Sequence, residues 1–563
     1  MTWIAPDNFN LAAVCGTQYG LGYNPIPTFD WNIISTLAPL TVPFYNSFTT
    51  YVSAFISGLF ILAIYYTNNN STAYLPINSS GIFTNTGESY EVTQILTNGI
   101  LDEEKYKAYS PPFYSAANLL YYGAFFAAYP VTFLYVLLDQ WKLIAKAGVQ
   151  AYRAFIDKTK QVVHHTHISL KNLFSGNFKG FLSEFAHIFQ DDRSIYEGFN
   201  DPFTAMISKY PEVPDWWFYL ILLISLIFGI IILCVYPQLN TPKWTLFFVI
   251  AINFVFLIPM QIVAAITGSN IGLNVVVELI IGYALPGNGE ALMLIKAYGY
   301  NIDGQAANYI SDQKMGHYSQ IPPRAQFRGQ IIATVITSFV AYAVVDWVDN
   351  NIKGVCTPEA QNHFTCASGS QVYYSASVFW GAIGPKRVFS QQYPILKYMF
   401  LFGFLLALAW WSIKKFGPTI RSWVKDHASP AVFKPLNAVI FTPLSWLKGV
   451  HPALVLYGFL SWAPTNLSYY TMGFYLAIIF MYYLRRYKTA WWEKYNYVLA
   501  AGLDAGLAFS AIIMFFAVQY HEKDVSWWGN NVILEGVDGG SSDRVALKMD
   551  LPEKGYFGPD EWH

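Results

Sequence analysis

Eight apolar runs, each long enough to cross a hydrocarbon core of about 30 Å, set the plan of this chain: residues 48–66, 115–138, 216–236, 244–266, 329–348, 395–413, 465–484 and 497–518. Between them lie shorter apolar pieces that begin or end in Pro, Gly or Asn, at 33–44, 372–383, 453–463 and in the two halves of a segment containing Glu278. Each is too short or too broken to cross alone, and so predicts a re-entrant half-helix. The pattern therefore predicts an all-α fold, a polytopic transmembrane helical bundle of about eight full spans with re-entrant or broken half-helices.

Residues 270–324, NIGLNVVVELIIGYALPGNGEALMLIKAYGYNIDGQAANYISDQKMGHYSQIPPR, depart most from an ordinary span. Glu278 sits at the centre of an apolar run that is cut at Leu285, Pro286 and Gly287, where Pro removes an amide donor and Gly frees the backbone. Broken helices at membrane depth survive only where protein or a water-filled cavity satisfies the backbone. An ionisable group there is a candidate for a substrate or ion pathway. Placing a carboxylate at the bilayer centre costs at least about 2.5 kcal/mol, so Glu278 is expected to be paired, hydrated or protonated. Two readings stand: a proton-coupling group, since desolvation favours the neutral acid, or a structural partner for a neighbouring amide or basic group. If the hairpin formed around Pro286 and Gly287 lines a cavity, Asn274, Tyr283, Asn288 and Glu290 offer hydrogen bonds to a polar substrate, and half-helix ends present amides or carbonyls to charged groups.

Composition agrees with a membrane protein. Of 563 residues, 54% are hydrophobic and 12% charged, against about 25% charged in soluble domains; mean hydropathy is +0.30. A net charge of −1 argues against nucleic acid as a partner. Trp216, Trp217, Trp410, Trp411, Trp491 and Trp492 fall at span ends, where amphipathic rings anchor at headgroups. No cleavable leader is expected, because the first ten residues lack a basic start and an apolar core. Residues 139–200 carry eight Lys or Arg, against only Lys105 and Lys107 in 67–112. The positive-inside rule then places 139–200, 414–448 and 485–494 in the cytosol. The resulting organisation is a membrane region, 1–138, with an outer loop, 67–112; a cytosolic basic amphipathic loop, 139–215; a transport core, 216–519; and a polar acidic tail, 520–563, counted outside. The sequons at Asn69, Asn70 and Asn78 fall outside and are expected to be glycosylated in a eukaryotic secretory pathway. Cys356 and Cys366 share an outer polar loop and are expected to form a disulfide in an oxidising compartment.

The remaining polar residues each admit two readings. Asp504, among Gly502, Ala505, Gly506 and Ala508, is a second proton site or a helix–helix hydrogen bond, the small residues allowing close approach. Asp346 is a hydrated interfacial group or a coupling group. Pro322 and Pro323 stop a helix and force an extended entry into the next span. Beside them, Arg324 is a positive-inside anchor, or belongs to a loop that gates the inner mouth or meets a substrate carboxylate through its guanidinium. His317 is an exposed loop residue or a group titrating near neutral pH. His164, His165 and His167, in a basic segment with amphipathic text over 168–189, suit an anionic membrane face, with Lys158, Lys160, Lys171 and Lys179 toward the headgroups, better than a metal site. No metal or other cofactor is called for, and no nucleophile elbow, phosphate loop or intramembrane His motif points to an enzyme.

Several blocks resemble the oligopeptide transporter family of fungi and plants: GLGYNPIPTFDWN, YSPPFYSAANLLYYGAFF, SKYPEVPDWWF, IGLNVVVELIIGYALPG, KMGHYSQIPPR, SASVFWGAIGPKR and WWEKYNYVLAAGLDAGLAFS. They run in family order over nearly the whole chain, with QIPPR standing where the family usually has KIPPR. The resemblance implies proton-coupled uptake of small peptides, such as tetra- or pentapeptides or glutathione, in a multi-pass protein of the plasma membrane or of an endosomal or vacuolar membrane. The partners implied are the peptide, protons and the bilayer. The alternatives are a metal-chelate cargo, as in the family's yellow-stripe branch, and a transport-incompetent truncated membrane protein. The family's Asn-Pro-Gly motif has no counterpart, Asn24-Pro25 being followed by Ile26. The chain is therefore expected to lack several N-terminal spans of the family.

Overall fold

The computed structural model describes residues 2–181, 183, 201–355, 369–447, 449–520, 526–532, 536–539 and 549–562. Among these residues it is all-α apart from two pairs of two-residue strands. Seven helices there are long and apolar enough to cross a membrane: Phe44–Tyr66, Ala116–Asp139, Asp215–Val235, Trp244–Thr267, Pro323–Asn351, Ile395–His427 and Thr489–Val518. They correspond to seven of the eight apolar runs. The eighth run, 465–484, is helical in three abutting pieces, Ser468–Ala477, the π-helix Ile478–Leu484 and Arg485–Tyr487.

Three of the shorter apolar pieces stay short. Trp31–Ile34 and Ser35–Leu37 end at Ala38, which is left-handed at φ 47°. Ser370–Ala376 runs into the π-helix Ser377–Ile383 and stops at Gly384, whose φ of 89° favours glycine. Pro452–Phe459 has Pro at its start, where the missing N–H costs nothing. The Glu278 segment differs from expectation. Its first arm, Asn274–Ala284, is short, but its second runs unbroken as Gly289–Tyr318, 30 residues or about 45 Å. That arm contains no Pro, so the polar residues that interrupt its hydropathy, Lys296, Asn301 and Asp303 among them, leave the helix intact.

The chain divides into two compact units. The first comprises Met1–Val136, Ile258–Ala297 and Ile352–His563. Its core gathers Ala54, Ile61, Tyr65, Ala116, Ala117, Trp462 and Leu467. Small residues let the Phe44–Tyr66 and Pro452–Phe459 helices touch: a Cβ added at Gly458 would lie 2.6 Å from Ala54 N and 2.7 Å from Thr50 O. The buried polar atoms at this contact are paired, Trp462 Nε1 donating to Ser57 Oγ at 2.7 Å and Ser57 Oγ to the Ala54 carbonyl at 2.8 Å.

The 67–112 loop packs with its flanking residues as a small ordered layer. Ile82–Phe83 pairs antiparallel with Phe113–Tyr114, and Leu96–Thr97 pairs with Ile100–Leu101 around Asn98-Gly99, both at positive φ. Asp102 caps the Glu103–Tyr109 helix by accepting from Glu104 N and Lys105 N. The Thr97 hydroxyl, with those two amides, holds its carboxyl below the usual range. The described parts of the tail return to this unit. Asp538, buried, accepts from the backbone N–H groups of Thr17, Gln18 and Tyr19 at 2.9, 3.3 and 3.1 Å. Phe557 stacks on Tyr74 with ring centroids 4.9 Å apart and meets Phe113 edge-on, and Trp562 Nε1 donates to Tyr106 O at 3.0 Å.

Asn78 does not fit the expected glycosylation. It is 5% exposed, donates to Thr465 O at 3.1 Å and accepts from Ala463 N at 3.1 Å. Its amide is therefore part of the core, whereas Asn69 and Asn70 are exposed. Peptide mapping after endoglycosidase treatment of protein made in a secretory host is expected to find glycan at Asn69 or Asn70 and none at Asn78. A glycan at Asn78 on the folded protein would refute this packing.

The second unit comprises Leu137–Leu257 and Tyr298–Asn351. Its amphipathic helix, Trp141–Phe174, starts before the 168–189 stretch read from the sequence; most of the latter part of that stretch lies outside the described residues. His164, His165 and His167 lie on this helix. Among the described residues no group of three His, Cys, Asp or Glu is placed to hold a metal ion. Cys356 and Cys366 lie outside the described residues.

Candidate functional site

The hairpin is held at its tip by main-chain bonds. The turn at 285–288 carries Pro286 and Gly287, with Gly287 at φ 83°. Gly287 N donates to Gly381 O at 3.1 Å, and Gly287 O accepts from Leu101 N at 3.0 Å. Asn288 caps the second arm, its Oδ1 accepting from Ala291 N at 2.9 Å. The break in the helix is thus satisfied by neighbouring protein, which is the condition for irregular backbone within a membrane protein.

Between the arms lies a buried ion pair. Glu278 on the first arm and Lys296 on the second are each 1% exposed, with Lys296 Nζ 2.8 Å from Glu278 Oε1. The ammonium also faces the Tyr373 ring at 4.3 Å from its centroid, a favourable cation–π placement. No hydrogen-bond donor among the described residues reaches Glu278 Oε2. Tyr114, Tyr122 and Tyr129 are close enough to feel the charge of Glu278, and Tyr129 Oη donates to Gly272 O, just ahead of the first arm, at 2.9 Å. Tyr114 stacks on Phe379 at 3.9 Å, and Tyr122 lies 5.3 Å from Trp380. The pair is therefore enclosed by aromatic side chains from 113–136 and from the 370–383 piece. Each ion has the other as its charge partner, an arrangement that holds only while both stay charged.

Close packing maintains this geometry. A Cβ at Gly282, one helical turn beyond Glu278, would lie 2.3 Å from Trp380 O and 2.8 Å from Pro385 Cδ. Only glycine allows the first arm to approach the 377–385 backbone so closely.

The other candidate residues fall in several places. Asn274 lies at the N-terminus of the first arm, half-buried, one turn before Glu278 and on the same face; its Oδ1 has no hydrogen-bond partner among the described residues. Tyr283 is exposed. Asp504 is exposed and accepts from Trp31 Nε1 at 2.8 Å. The close helix approach expected around it is not found among the described residues: a Cβ at Gly502 or Gly506 would meet nothing within 4 Å. Arg324 belongs to the second unit, where its Nε donates to Glu212 O at 2.8 Å. Pro323 begins the Pro323–Asn351 helix, and Pro322 precedes it. His317 Nε2 lies 3.4 Å from Thr204 Oγ1 in that unit. Asp346 is exposed near the end of the same helix.

Sequence reasoning missed Lys296. The available signal was a lone Lys in EALMLIKAYGY, an apolar stretch opening the second arm. It also missed Tyr122 and Tyr129, seven residues apart and so on one helix face.

The comparisons with known proteins agree with the sequence blocks. The family model described as OPT oligopeptide transporter protein matches residues 1–518. The chain is 43% identical over 96% of its length to Oligopeptide transporter 2 of Saccharomyces cerevisiae, of which the match covers 56%. It is 32% identical over 99% of its length to Oligopeptide transporter 1 of the same yeast, covering 61%. To Glutathione transporter 1 of Schizosaccharomyces pombe it is 31% identical over 96% of its length, covering 55%. The chain thus spans little more than half the length of these relatives. No solved structure matches it. With the family model matching residues 1–518, which take in all seven candidate membrane helices of the described residues, this multi-pass chain belongs to the oligopeptide transporter family.

Proposed function

We propose that this protein moves small oligopeptides, of the size of glutathione or a tetra- or pentapeptide, across a membrane together with protons, and that the Glu278–Lys296 pair couples the two. The observation that carries the reading is the buried 2.8 Å ion pair bridging the arms of a broken-helix hairpin. Protonating Glu278 removes the counter-charge of Lys296 and leaves an ammonium able to take the carboxylate of a peptide. Releasing the peptide returns Lys296 to Glu278 and expels the proton. Neither ion is stable alone in such a site, since breaking a buried pair costs about 3–5 kcal/mol. That penalty ties proton movement to peptide movement. Asn274, one turn away with a buried oxygen to offer, suits a peptide N–H. Asp504 and Arg324 are kept as a second proton group and a gate residue.

The relatives named as oligopeptide and glutathione transporters support the cargo class. The driving force is adequate: one proton crossing about 100 mV contributes about 2.3 kcal/mol and one pH unit about 1.4 kcal/mol. Together these allow several-hundred-fold accumulation. The test is uptake of labelled glutathione and a labelled tetrapeptide by transport-deficient cells expressing the chain, at acidic and neutral external pH. Acid-stimulated uptake of either supports the reading; uptake of neither, with the protein present in the membrane, removes it.

A further inference from the structure

A large cleft, lined by none of the hairpin residues, lies at the far end of the Ile395–His427 helix. That helix has 33 residues, about 50 Å, and a hydrocarbon core takes up about 30 Å of it. Trp410, Trp411, Lys414 and Lys415 mark where it leaves the apolar layer. Beyond them, the helix and the broken helical segment formed by Pro430–Leu436, Asn437–Phe441 and Thr442–Trp446 enclose a cavity of about 1010 Å³. Phe416, Phe433, Ile440 and Leu444 give it an apolar wall, and Arg421 and Lys425 give it two cations. These two are four residues apart on one helix face. No Asp or Glu among the described residues lines the cavity. Arg421 Nε donates to Asn437 Oδ1 at 2.9 Å, which holds the guanidinium against the wall. Gly417 also lines the cleft, and a Cβ there would meet nothing within 4 Å.

An apolar trough at headgroup depth, with a pair of cations and no counter-charge among the described residues of its wall, has the chemistry of one ligand in particular. A soluble anion would not use the aromatic and aliphatic wall, and a zwitterionic lipid carries no net negative charge to balance Arg421 and Lys425. We propose that the cleft is a binding site for one anionic phospholipid, its phosphate held by Arg421 and Lys425 and an acyl chain lying along Phe416, Phe433, Ile440 and Leu444. The Arg421 fork suits a phosphate in two-point contact, and Lys425 adds a mobile point charge. The site is independent of the transport reading, because it involves none of the hairpin residues.

The experiment is native mass spectrometry of the full chain in detergent. The protein is titrated with phosphatidylserine, with phosphatidylcholine of the same acyl chains, and with inorganic phosphate. Phosphatidylserine is expected to be retained in preference to phosphatidylcholine, with inorganic phosphate failing to compete. Arg421→Ala with Lys425→Ala is expected to weaken phosphatidylserine retention about thirtyfold, the contribution of two basic side chains at a membrane surface, leaving phosphatidylcholine unchanged. Gly417→Leu keeps both cations and fills open space; because it precedes Pro418 within the helix, its thermal midpoint is measured alongside, and a folded variant is expected to show reduced retention because the side chain occupies the trough. The proposal is overturned if the double variant or Gly417→Leu holds phosphatidylserine as the parent does. Competition by inorganic phosphate equal to that of the lipid would overturn it too, by reducing the site to an anion site.

Discussion

Glu278→Gln is expected to abolish acid-stimulated peptide uptake, lowering accumulation from several-hundred-fold toward unity. The substitution removes the proton acceptor and leaves Lys296, 1% exposed, without its counter-charge. A buried pair broken on one side costs about 3–5 kcal/mol, so the variant is also expected to be less abundant in the membrane. A second variant separates the two effects. Glu278→Gln with Lys296→Gln removes both charges, and replacing a buried pair by neutral groups is far less costly than breaking it. The double variant is expected to recover membrane abundance but not acid stimulation. If it transports with the pH dependence of the parent protein, the pair serves only to hold the arms together. Uptake at two external pH values, normalised to the amount of protein in the membrane, reads both quantities.

Gly282→Val is expected to have the next largest effect. Its Cβ would enter within 2.3 Å of a backbone carbonyl, Trp380 O, which no side-chain rotation can relieve. Overpacking of this kind costs about 1–3 kcal/mol or more. The first arm would have to shift away from the 377–385 piece, moving Glu278 from Lys296. Uptake is expected to fall severely and the thermal midpoint of the purified protein to drop. Gly329→Val, at a helix position where an added Cβ meets nothing within 4 Å, serves as the control. Equal behaviour of the two variants would show that the close approach at Gly282 does not position the pair.

The all-α class could be read from the sequence because lipid forces it. A span in hydrocarbon must satisfy its own backbone, so length and apolarity alone mark it. Residues 216–236 and 244–266 illustrate this, each agreeing with a helix of the structure within a residue or two. The hairpin was visible at Pro286 and Gly287 for the same backbone reason. Its second arm was misjudged because hydropathy measures solvation, whereas helix continuity depends on backbone hydrogen bonding. Lys296, Asn301 and Asp303 lower the first without disturbing the second.

The site itself was half visible. Glu278 stood out as a charge in an apolar run, but its partner lies eighteen positions away across a turn, and only the folding of the arms joins them. Lys296 looked unremarkable in sequence because Tyr373, Glu278 and the aromatic enclosure come from three separate segments. Asn78 failed in the opposite sense. Its sequon is a local pattern, whereas its burial is set by Ala463 and Thr465, nearly four hundred residues away.

The central claim is that the proton gradient drives peptide movement through the Glu278–Lys296 hairpin, and the most direct measurement uses purified protein in proteoliposomes. Accumulation of a labelled tetrapeptide is followed with the outside acidic and the inside negative, before and after a protonophore. The expected result is concentrative uptake that collapses when the gradient is dissipated. Uptake indifferent to the gradient, or no uptake at all, would contradict the claim.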